Sequence, residues 1–358
     1  MRVLLAGGGS GGSSAPVLAV AQELRKRTEC EFLYIGTSSG PELELVSRMG
    51  IPFRSVQTGK LRRYWSWQNL VDLFRIPMGL IQSLATVAKF RPHLAFAAGG
   101  FAAVPPLMAA SILRVPTVIH QQDVEPGLAN KILAPFANKI TVTFPSSLAH
   151  FPSSKTTVTG NPVRHEILSG SREEAKRLFT LRDDLPVVLV TGGGTGALGL
   201  NRLVASAAKQ LTSNCQILHI TGKGKRVELP DSMPNYRQME FLAEGMGHAL
   251  AAADLVVSRA GLSTLTELAA LGKPSIIIPM PRSHQNANAQ VFSKAQASVV
   301  YQEAELDGAK LAESILSLLQ NREQLESMSE RARALMPPLA EARIADVIES
   351  AVYRGKTG

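Results

Sequence analysis

The chain has 358 residues, of which 45% are hydrophobic and 19% are charged, a composition typical of a globular protein long enough for two domains. No run of about 18 uncharged apolar residues occurs in the sequence, so no segment is expected to span a bilayer. Residues 1–160 hold 16 Lys and Arg against 8 Asp and Glu, a net charge of +8, whereas residues 161–358 hold 22 against 21, a net charge of +1. The N-terminal half is therefore expected to meet an anionic partner.

Several classes of protein are disfavoured by what the sequence lacks. Met1 and Arg2 run directly into an apolar strand, so no signal peptide is expected. Cys30 and Cys215 are expected to be reduced core thiols of a cytosolic protein. Nucleic acid would suit the positive charge, but it is not expected as a partner, because no basic helix, zinc-ligand spacing or aromatic-rich RNA-binding motif is found.

Short β-branched runs alternate with segments of helical length, the pattern of βαβ units in a parallel sheet with helices on both faces. The first series of predicted strands covers Val3–Ala6, Glu31–Ile35, Phe53–Val56, Leu94–Ala97, Thr117–Ile119, Ile140–Phe144 and Thr157–Thr159. The second series covers Val187–Thr191, Gln216–Ile220, Arg237–Phe241, Leu255–Val257, Ser275–Ile278 and Ser298–Tyr301. We therefore expect two doubly wound domains, residues 1–160 and 161–339, with a C-terminal helix within 340–358 that packs back on the first.

Each half has a glycine-rich turn after its first strand, Gly7–Gly12 and Gly192–Gly199. Both match the G-x-G-x-x-G pattern of dinucleotide-binding folds. Such folds place an acidic residue at the end of the second strand to hold the ribose, whereas here those ends read Gly36-Thr37 and Thr221-Gly222. A nicotinamide or flavin enzyme is therefore disfavoured, and no cofactor is expected. The two turns are still predicted to face a ligand with their backbone.

The stretch Ser258–Glu267 follows a buried strand and leads into an apolar helix. A strand that ends in a small-residue loop and turns into a helix presents free backbone N–H groups and the positive end of the helix dipole, which suits a phosphate. Glu267 lies about one turn into that helix, where a carboxylate could take both hydroxyls of a ribose. Thr264 and Glu267 equally fit the capping box S/T-x-x-E, in which the glutamate would bind only backbone. Both interpretations stay open on the sequence alone.

Polar residues are concentrated in the stretch His120–Lys131, after the buried strand at Thr117–Ile119. Ligands of open α/β sheets bind beyond the carboxyl ends of the strands. Asp123 is the carboxylate there without an evident structural task and is the candidate general base, although a lone Asp in a loop is commonly a cap or turn residue. His120, next to a strand end, is equally compatible with a satisfied semi-buried histidine and with a functional one.

Seven short motifs lie in order along nearly the whole chain. They are Gly8–Gly12 with Pro16; Gly99-Gly100-Phe101; His120–Asp123 with Gly127-Leu128 and Asn130-Lys131; Gly160–Arg164; Gly192–Ala197 with Asn201; Arg259-Ala260-Gly261 to Glu267; and His284-Gln285 with Asn288-Ala289. Each motif is weak alone. Together, in this order and spacing, they resemble the MurG family, the bacterial glycosyltransferases that add N-acetylglucosamine to a lipid-linked muramyl-pentapeptide.

The resemblance implies a GT-B fold, an α/β architecture in which two Rossmann-like doubly wound parallel-sheet domains face each other across a cleft. It also implies that residues 161–339 bind UDP-N-acetylglucosamine and that residues 1–160 bind the lipid acceptor. No Asp-x-Asp motif occurs, so no metal is expected. The diphosphate of the leaving UDP would instead be neutralised by N–H groups, a helix dipole and an arginine.

The donor site that the resemblance implies has one part for each portion of the nucleotide sugar. The backbone around Leu242 would read the uracil, and Met246 would help to close that pocket. Glu267 would take the ribose, while the diphosphate would meet the helix start, Leu262, Ser263, Thr264, Leu265 and Thr266. His284 and Gln285 would contact the sugar hydroxyls. Further residues that would line the nucleotide-sugar site are Ser10, Gly11, Gly12, Asp123, Arg164 and Gly194.

The acceptor site that the resemblance implies contains Gly9, Phe101, His120 and Asn130. The chain departs from the family at Ser13, where a histidine is usual, and at Asp123, where an asparagine is more usual. A histidine with a pKa near neutral can take a proton from an attacking hydroxyl, whereas serine cannot do so unaided. Ser13 and Asp123 are therefore the candidate catalytic residues, with Asp123 predicted as the base that replaces the histidine.

Both tryptophans of the chain lie beside three arginines in the segment Leu61–Ile76. Aromatic and basic residues on an apolar segment suit the bilayer interface, where rings lie at headgroup depth and arginines meet lipid phosphate. The alternative is a core helix with a solvated basic rim. The family is peripheral to the membrane through this region, which favours an anionic membrane surface as a partner, at the cytoplasmic face of the plasma membrane. The candidate membrane contacts are Tyr64, Trp65, Trp67 and Phe74.

These points together predict an inverting transfer in peptidoglycan synthesis. The C4 hydroxyl of undecaprenyl-pyrophosphoryl-N-acetylmuramyl-pentapeptide would attack C1 of N-acetylglucosamine, and UDP would leave. Two alternatives stay open: a related transferase with another lipid acceptor, and a regulator that binds the nucleotide sugar without turnover.

Overall fold

The computed structural model describes residues 1–8, 11–38, 40, 42–58, 67–194, 196–229, 233–242 and 245–354. The chain forms two compact units, of which the first comprises residues 1–162 together with 337–358 and the second residues 163–336. The chain therefore enters the second unit at residue 163, close to the change of domain that the sequence placed after residue 160.

The first unit is built around a parallel sheet of seven described strands. The strands are β1 (Arg2–Ala6), β2 (Glu31–Gly36), β3 (Phe53–Ser55), β4 (Leu94–Ala97), β5 (Thr117–Gln121), β6 (Lys139–Val142) and β7 (Thr156–Val158). Their order is β3-β2-β1-β4-β5-β6-β7. The helices between them are α1 (Gly11–Arg27), α2 (Glu42–Arg48), α3 (Trp67–Phe90), α4 (Val104–Ile112) and α5 (Leu128–Leu133).

The second unit repeats this plan with a parallel sheet of six described strands. They are β8 (Val187–Thr191), β9 (Gln216–Ile220), β10 (Tyr236–Met239), β11 (Leu255–Ser258), β12 (Ser275–Ile277) and β13 (Ser298–Val300), in the order β10-β9-β8-β11-β12-β13. The helices are α6 (His165–Leu168), α7 (Arg172–Phe179), α8 (Leu198–Leu211), α9 (Met246–Ala252), α10 (Leu262–Leu271), α11 (Gln285–Lys294), α12 (Gly308–Gln320) and α13 (Arg322–Ala334).

The thirteen predicted strands are all confirmed, with their ends shifted by no more than two residues. The inner strands are largely apolar because helices cover both faces of each sheet, and every residue of β4, β8 and β11 is buried. The strand order reverses between β1 and β4 in the first sheet and between β8 and β11 in the second. The loops after these four strands therefore lie at the two positions where open α/β sheets bind ligands.

The last helix, α14 (Ala340–Arg354), packs on the first unit. Its buried residues Ile344 and Ile348 belong to the same core as Val3 of β1. Arg27, at the end of α1, forms an ion pair with Asp346 at 2.6 Å and donates to the carbonyl of Ala342 at 3.1 Å. The C-terminus therefore completes the core of the unit that the N-terminus begins.

Candidate functional site

The chain turns at Arg259-Ala260-Gly261, after β11, into the ten-residue helix α10. Gly261 is the N-cap residue and has no side chain to bind the N–H groups of the first turn, which have no acceptor within the helix. These N–H groups and the positive end of the helix dipole lie at the carboxyl edge of the sheet, beyond the end of β11, the strand next to β8. The start of α10 can therefore bind an anion such as a diphosphate.

The structure excludes the capping-box interpretation of Thr264 and Glu267. A capping box would place Thr264 at the N-cap, but the N-cap is Gly261, three residues earlier. The carboxylate of Glu267 instead accepts hydrogen bonds from the side chain of Arg164, at 2.9 Å from Nη2 and 3.3 Å from Nε. Glu267 thus interacts with a distant part of the chain and not with the first turn of its own helix.

Glu267 is a nearly buried carboxylate, 9% exposed. Burial raises the pKa of its carboxyl above the usual value, while the charge of Arg164 and its hydrogen bonds oppose that rise. Both bonds from Arg164 go to Oε1, so they leave Oε2 for another donor. The side chain of Arg164 is half-exposed and also pairs with Glu166 at 2.8 Å. A carboxylate oxygen and a guanidinium thus lie side by side, the chemistry that a ribose next to a phosphate requires.

The loop between β12 and α11 is hydrogen-bonded to the turn that starts α10. The side-chain carbonyl of Gln285 accepts from the backbone N–H groups of Ala260 at 3.2 Å and Met280 at 3.0 Å. Asn288, which is fully buried, donates to the carbonyl of Ala260 at 3.2 Å. Because the carbonyl of Gln285 is occupied, its amide NH₂ group is the part that can serve a ligand. His284 precedes it at an exposed position.

The second glycine-rich turn needs glycine at Gly192, Gly193 and Gly196, and the φ of Gly193 is +79°. Gly196 has a φ of +70°, and a Cβ there would overlap the backbone of Thr221, while a Cβ on Gly192 would overlap the backbone of Ala197. Gly193 and Gly194 face open space instead, because no atom of the described residues lies within 4 Å of a Cβ built on either. The turn is therefore packed at its ends and open at Gly194, which the sequence predicted in the nucleotide-sugar site.

Leu242 and Met246, predicted to contact the uracil, lie on either side of the start of α9 and are both half-buried. The helix begins after Gly245, whose φ is +92°. It crosses α6 so closely that a Cβ on Gly247 would overlap the carbonyl of Glu166. The close crossing holds the start of α9 against the segment that carries Arg164, so the residues predicted to bind base and ribose share one packed region.

The first glycine-rich turn is described only in part. Gly9 and Ser10 lie outside the described residues, and Gly11 and Gly12 begin α1. Ser13 is 6% exposed, and its Oγ lies 3.1 Å from the position that a Cβ on Gly100 would take. Ser13 is therefore packed against the loop after β4, and its catalytic role stays a prediction.

The structure corrects the prediction that His120 contacts the acceptor. Strand β5 extends to Gln121, so His120 lies within the strand and not in the loop after it. Its two ring nitrogens pair with Oγ1 of Thr141 and Oδ1 of Asn161, both at 2.9 Å, and burial lowers its pKa to about 4. His120 is a satisfied, fully buried histidine that is neutral at pH 7.

Asn130, also predicted in the acceptor site, is buried in the first turn of α5. Its Nδ2 donates to the carbonyl of His120 at 3.0 Å and to Oε1 of Gln121 at 2.7 Å. Its Oδ1 has no hydrogen-bond partner among the described residues and lies 3.9 Å from the position of a Cβ on Gly99. Phe101 is half-buried in the short turn that follows Gly99-Gly100. The loops after β4 and β5 thus meet at the carboxyl edge of the first sheet.

Asp123, the predicted base, lies in the loop after β5 and is partly exposed. Gln121 supports this loop, since its side-chain amide donates to the backbone carbonyls of Asp123 at 2.8 Å and Glu125 at 3.1 Å. Gln122 donates to the carbonyl of Ala98 at 2.9 Å. The carboxylate of Asp123 is therefore carried by a loop that is tied to two strand ends.

The segment predicted to meet the membrane is largely outside the described residues. Tyr64 and Trp65 fall outside them altogether, and of Trp67 and Phe74 only the backbone is described, within α3. None of the described helices is long and apolar enough to cross a bilayer. Among all the residues that the structure describes, no group of three or more His, Cys, Asp and Glu side chains could hold a metal ion.

The sequence analysis assigned no role to an ion pair between a buried arginine and a partly exposed glutamate. Arg259, 7% exposed, forms an ion pair with Glu303 at 2.8 Å. Arg259 lies within one of the seven motifs, and this was the only feature of the sequence that pointed to it. Glu303 lies in none of the motifs. Their meeting depends on how the ends of β11 and β13 are placed in the sheet.

Models of glycosyltransferase family 28 match both halves of the chain. Residues 3–142 match the N-terminal domain of the family and residues 187–349 its C-terminal domain. The crystal structure of Acinetobacter baumannii MurG is similar, with a TM-score of 0.77 and 26% identity, and the match covers 98% of this chain and 99% of that one. The predicted pair of Rossmann-like parallel-sheet domains is confirmed.

Two curated relatives share one name, UDP-N-acetylglucosamine–N-acetylmuramyl-(pentapeptide) pyrophosphoryl-undecaprenol N-acetylglucosamine transferase. The relative from Clostridium perfringens is 37% identical over 332 residues, 91% of this chain and 93% of its own. That from Legionella pneumophila is 37% identical over 356 residues, 98% of this chain and 97% of its own. These matches confirm the resemblance seen in the motifs: the chain belongs to the MurG family of N-acetylglucosamine transferases, within glycosyltransferase family 28.

Proposed function

We propose that this chain transfers N-acetylglucosamine from UDP-N-acetylglucosamine to the C4 hydroxyl of undecaprenyl-pyrophosphoryl-N-acetylmuramyl-pentapeptide, with inversion at C1. The name shared by the two relatives states this sugar and this lipid-linked acceptor. The observation that carries the donor half is the Arg164–Glu267 pair in the unit that also contains the uncapped start of α10. A carboxylate, a guanidinium and free N–H groups are the groups that bind a ribosyl diphosphate.

Within the second unit, each part of the donor has a proposed contact. Glu267 accepts hydrogen bonds from the ribose hydroxyls, and the first turn of α10, Leu262 to Thr266, receives the diphosphate. The backbone at Leu242 reads the uracil and Met246 covers it. The remaining contacts are the amide of Gln285 and the ring of His284, which serve the sugar hydroxyls, and the open backbone at Gly194.

The leaving group is stabilised by fixed dipoles and an arginine in this proposal. As the bond from C1 to the diphosphate oxygen breaks, its electron pair stays on UDP and negative charge develops on that oxygen. N–H groups that already point at this position stabilise the charge without having to reorient during the reaction. The half-exposed guanidinium of Arg164 adds a charge-assisted hydrogen bond.

The first unit, residues 1–162 together with 337–358, binds the lipid acceptor in this proposal. Asp123 takes the proton of the C4 hydroxyl while that oxygen bonds to C1, and the new linkage is β. Ser13 is buried against Gly100, which favours Asp123 over Ser13 as the group that meets the hydroxyl. Gly9, Phe101 and Asn130 stay proposed acceptor contacts.

The same unit is proposed to lie on an anionic membrane at the cytoplasmic face. Its charge supports this, because residues 1–160 carry a net +8. Beyond the tryptophan segment, α3 exposes 47% of Met78 and 60% of Ile81. Exposed apolar side chains on a helix that follows a basic, aromatic segment suit the headgroup region.

The test is UDP release measured with and without the lipid-linked muramyl-pentapeptide. We expect release that depends on the acceptor, and loss of most of it in Glu267→Ala but not in the control Glu313→Ala, an exposed glutamate of α12. Serine at position 13, where a histidine is usual in the family, favours one other function, nucleotide-sugar binding without turnover. Tight donor binding with no release at any acceptor concentration would establish that function and refute ours.

A further inference from the structure

One buried guanidinium joins three loops at the carboxyl edge of the second sheet. Arg259 follows β11, and its Nη1 donates to the carbonyls of Ile278 at 3.1 Å and Pro279 at 3.2 Å, just after β12. Its Nη2 pairs with Glu303 at 2.8 Å, in the turn after β13. The ends of three neighbouring strands are therefore connected through a single side chain.

A fourth loop, the second glycine-rich turn, contacts the same ion pair. Gly199 is the second residue of α8, and a Cβ there would overlap Oε1 of Glu303 and lie 3.3 Å from Nη2 of Arg259. The pair thus occupies the space that a side chain at residue 199 would fill. This packing offers a reason for the last glycine of the G-x-G-x-x-G match that does not require a nucleotide.

The charge of Arg259 is already balanced within the protein. Glu303 lies at 2.8 Å, and the Nη1 group is used by two backbone carbonyls. A guanidinium whose charge and hydrogen bonds are satisfied in this way adds little net attraction for a diphosphate. Its contribution to a donor site is the geometry of the loops, and a misplacement of about 1 Å at such a site can cost on the order of 100-fold in rate.

We propose that Arg259 and Glu303 are positioning residues that hold the donor-binding loops in register without touching the donor. This inference rests on the proposed donor site, because the joined loops carry the start of α10, Gln285 and Gly194. Gly199→Ala is expected to weaken the pair without removing either charge, because the new methyl group would overlap Oε1 of Glu303 and shift the end of that side chain.

The experiment is calorimetric titration with UDP, at a temperature well below the melting temperature of each variant. Glu303→Ala and Gly199→Ala are each expected to raise the Kd for UDP by about tenfold or more. The double variant is expected to be no weaker than either single one, because both act by removing the same pair. Arg259→Lys is expected to keep more affinity than Arg259→Met. The matched control is Arg202→Ala, an exposed arginine of α8, which should bind UDP as the wild type does.

Two outcomes would overturn the positioning role. One is a Kd for UDP that is unchanged in Glu303→Ala and Gly199→Ala while the wild type binds normally. The other is a double variant whose loss equals the sum of the single losses, since independent effects would mean that Gly199 does not act through Glu303. Failure of the wild type itself to bind UDP would instead refute the proposed donor site, so the two failures are distinguishable. If Arg259→Met does not fold, Gly199→Ala and Glu303→Ala still decide the question.

Discussion

Replacing Glu267 by alanine separates the role of this carboxylate in binding from its role in folding. In the unbound protein, Oε1 of Glu267 is bonded to Arg164 and the side chain is nearly buried. In the proposed complex, the carboxylate also accepts from the ribose hydroxyls. The substitution therefore removes one internal ion pair and two hydrogen bonds to the ligand.

The two effects are expected to differ in size. Two hydrogen bonds to a charged acceptor would together be worth about 3–6 kcal/mol at full strength. We expect a smaller combined loss, about 1.5–3 kcal/mol, because water reaches the vacated site. The Kd for UDP should then rise by roughly 10- to 150-fold. Stability should fall much less, by about 1 kcal/mol, because Arg164 is half-exposed and keeps its pairing with Glu166 at 2.8 Å.

Calorimetric titration with UDP, beside a thermal melt of the same samples, measures both quantities. Glu267→Gln keeps the side-chain volume and is expected to bind UDP less tightly than the wild type but more tightly than Glu267→Ala. Glu313→Ala controls for loss of an acid elsewhere in the same unit. A Kd that stays within about twofold of the wild type, together with a lowered melting temperature, would show that Glu267 serves only the fold and would refute the ribose assignment.

Three further predictions follow from the first unit. Asp123→Asn is expected to lower the turnover rate by about 10²–10⁴-fold with the affinity for UDP-N-acetylglucosamine nearly unchanged. Ser13→His alone should not lower the turnover rate. An unaltered single-turnover rate in Asp123→Asn would end the general-base proposal. Replacing Trp65 and Trp67 by serine is expected to reduce pelleting with anionic liposomes at every salt concentration, while added salt alone weakens pelleting of the wild type; a wild type that never pellets with such vesicles contradicts the membrane proposal. Burial lowers the pKa of His120 from 6.5 to about 4, so its contribution to stability is complete above pH 6.5 and is lost as the pH falls toward 4. Urea unfolding should show that the free energy of unfolding falls less steeply with decreasing pH in His120→Gln than in the wild type. Equal slopes in the two proteins would exclude His120 as the cause.

The strands were predictable because their physical requirement is local. A strand of a parallel sheet that is covered on both faces is mostly apolar, which is visible in Val187–Val190 of β8. The same rule failed at His120 and Gln121, where the strand continues although the apolar run stops. These two polar residues are buried because partners such as Thr141 and Asn130 satisfy them, and a hydrophobic pattern carries no record of such pairs.

The site was predictable where a short stretch defines it and not where distant residues do. The loop after β11 showed a helix start suited to a phosphate from its residue types alone. Whether Glu267 capped that helix depended on Arg164, which lies 103 residues away in sequence. The pairing of Arg259 with Glu303 is of the same kind, since it is created by the sheet order that brings the ends of β11 and β13 near each other. Local pattern identified the loops, while tertiary placement decided what each side chain does there.

The return of α14 to the first unit makes the second unit an insertion within the first. Ile344, Ala345 and Ile348 are fully buried in the core that contains Val3. During synthesis, the ribosome therefore releases the second unit whole while the first still lacks part of its interior, so the N-terminal unit is expected to be the last to fold. A truncation or fusion at residues 337–358 should for the same reason damage the first unit, although these residues follow the second unit directly in the chain.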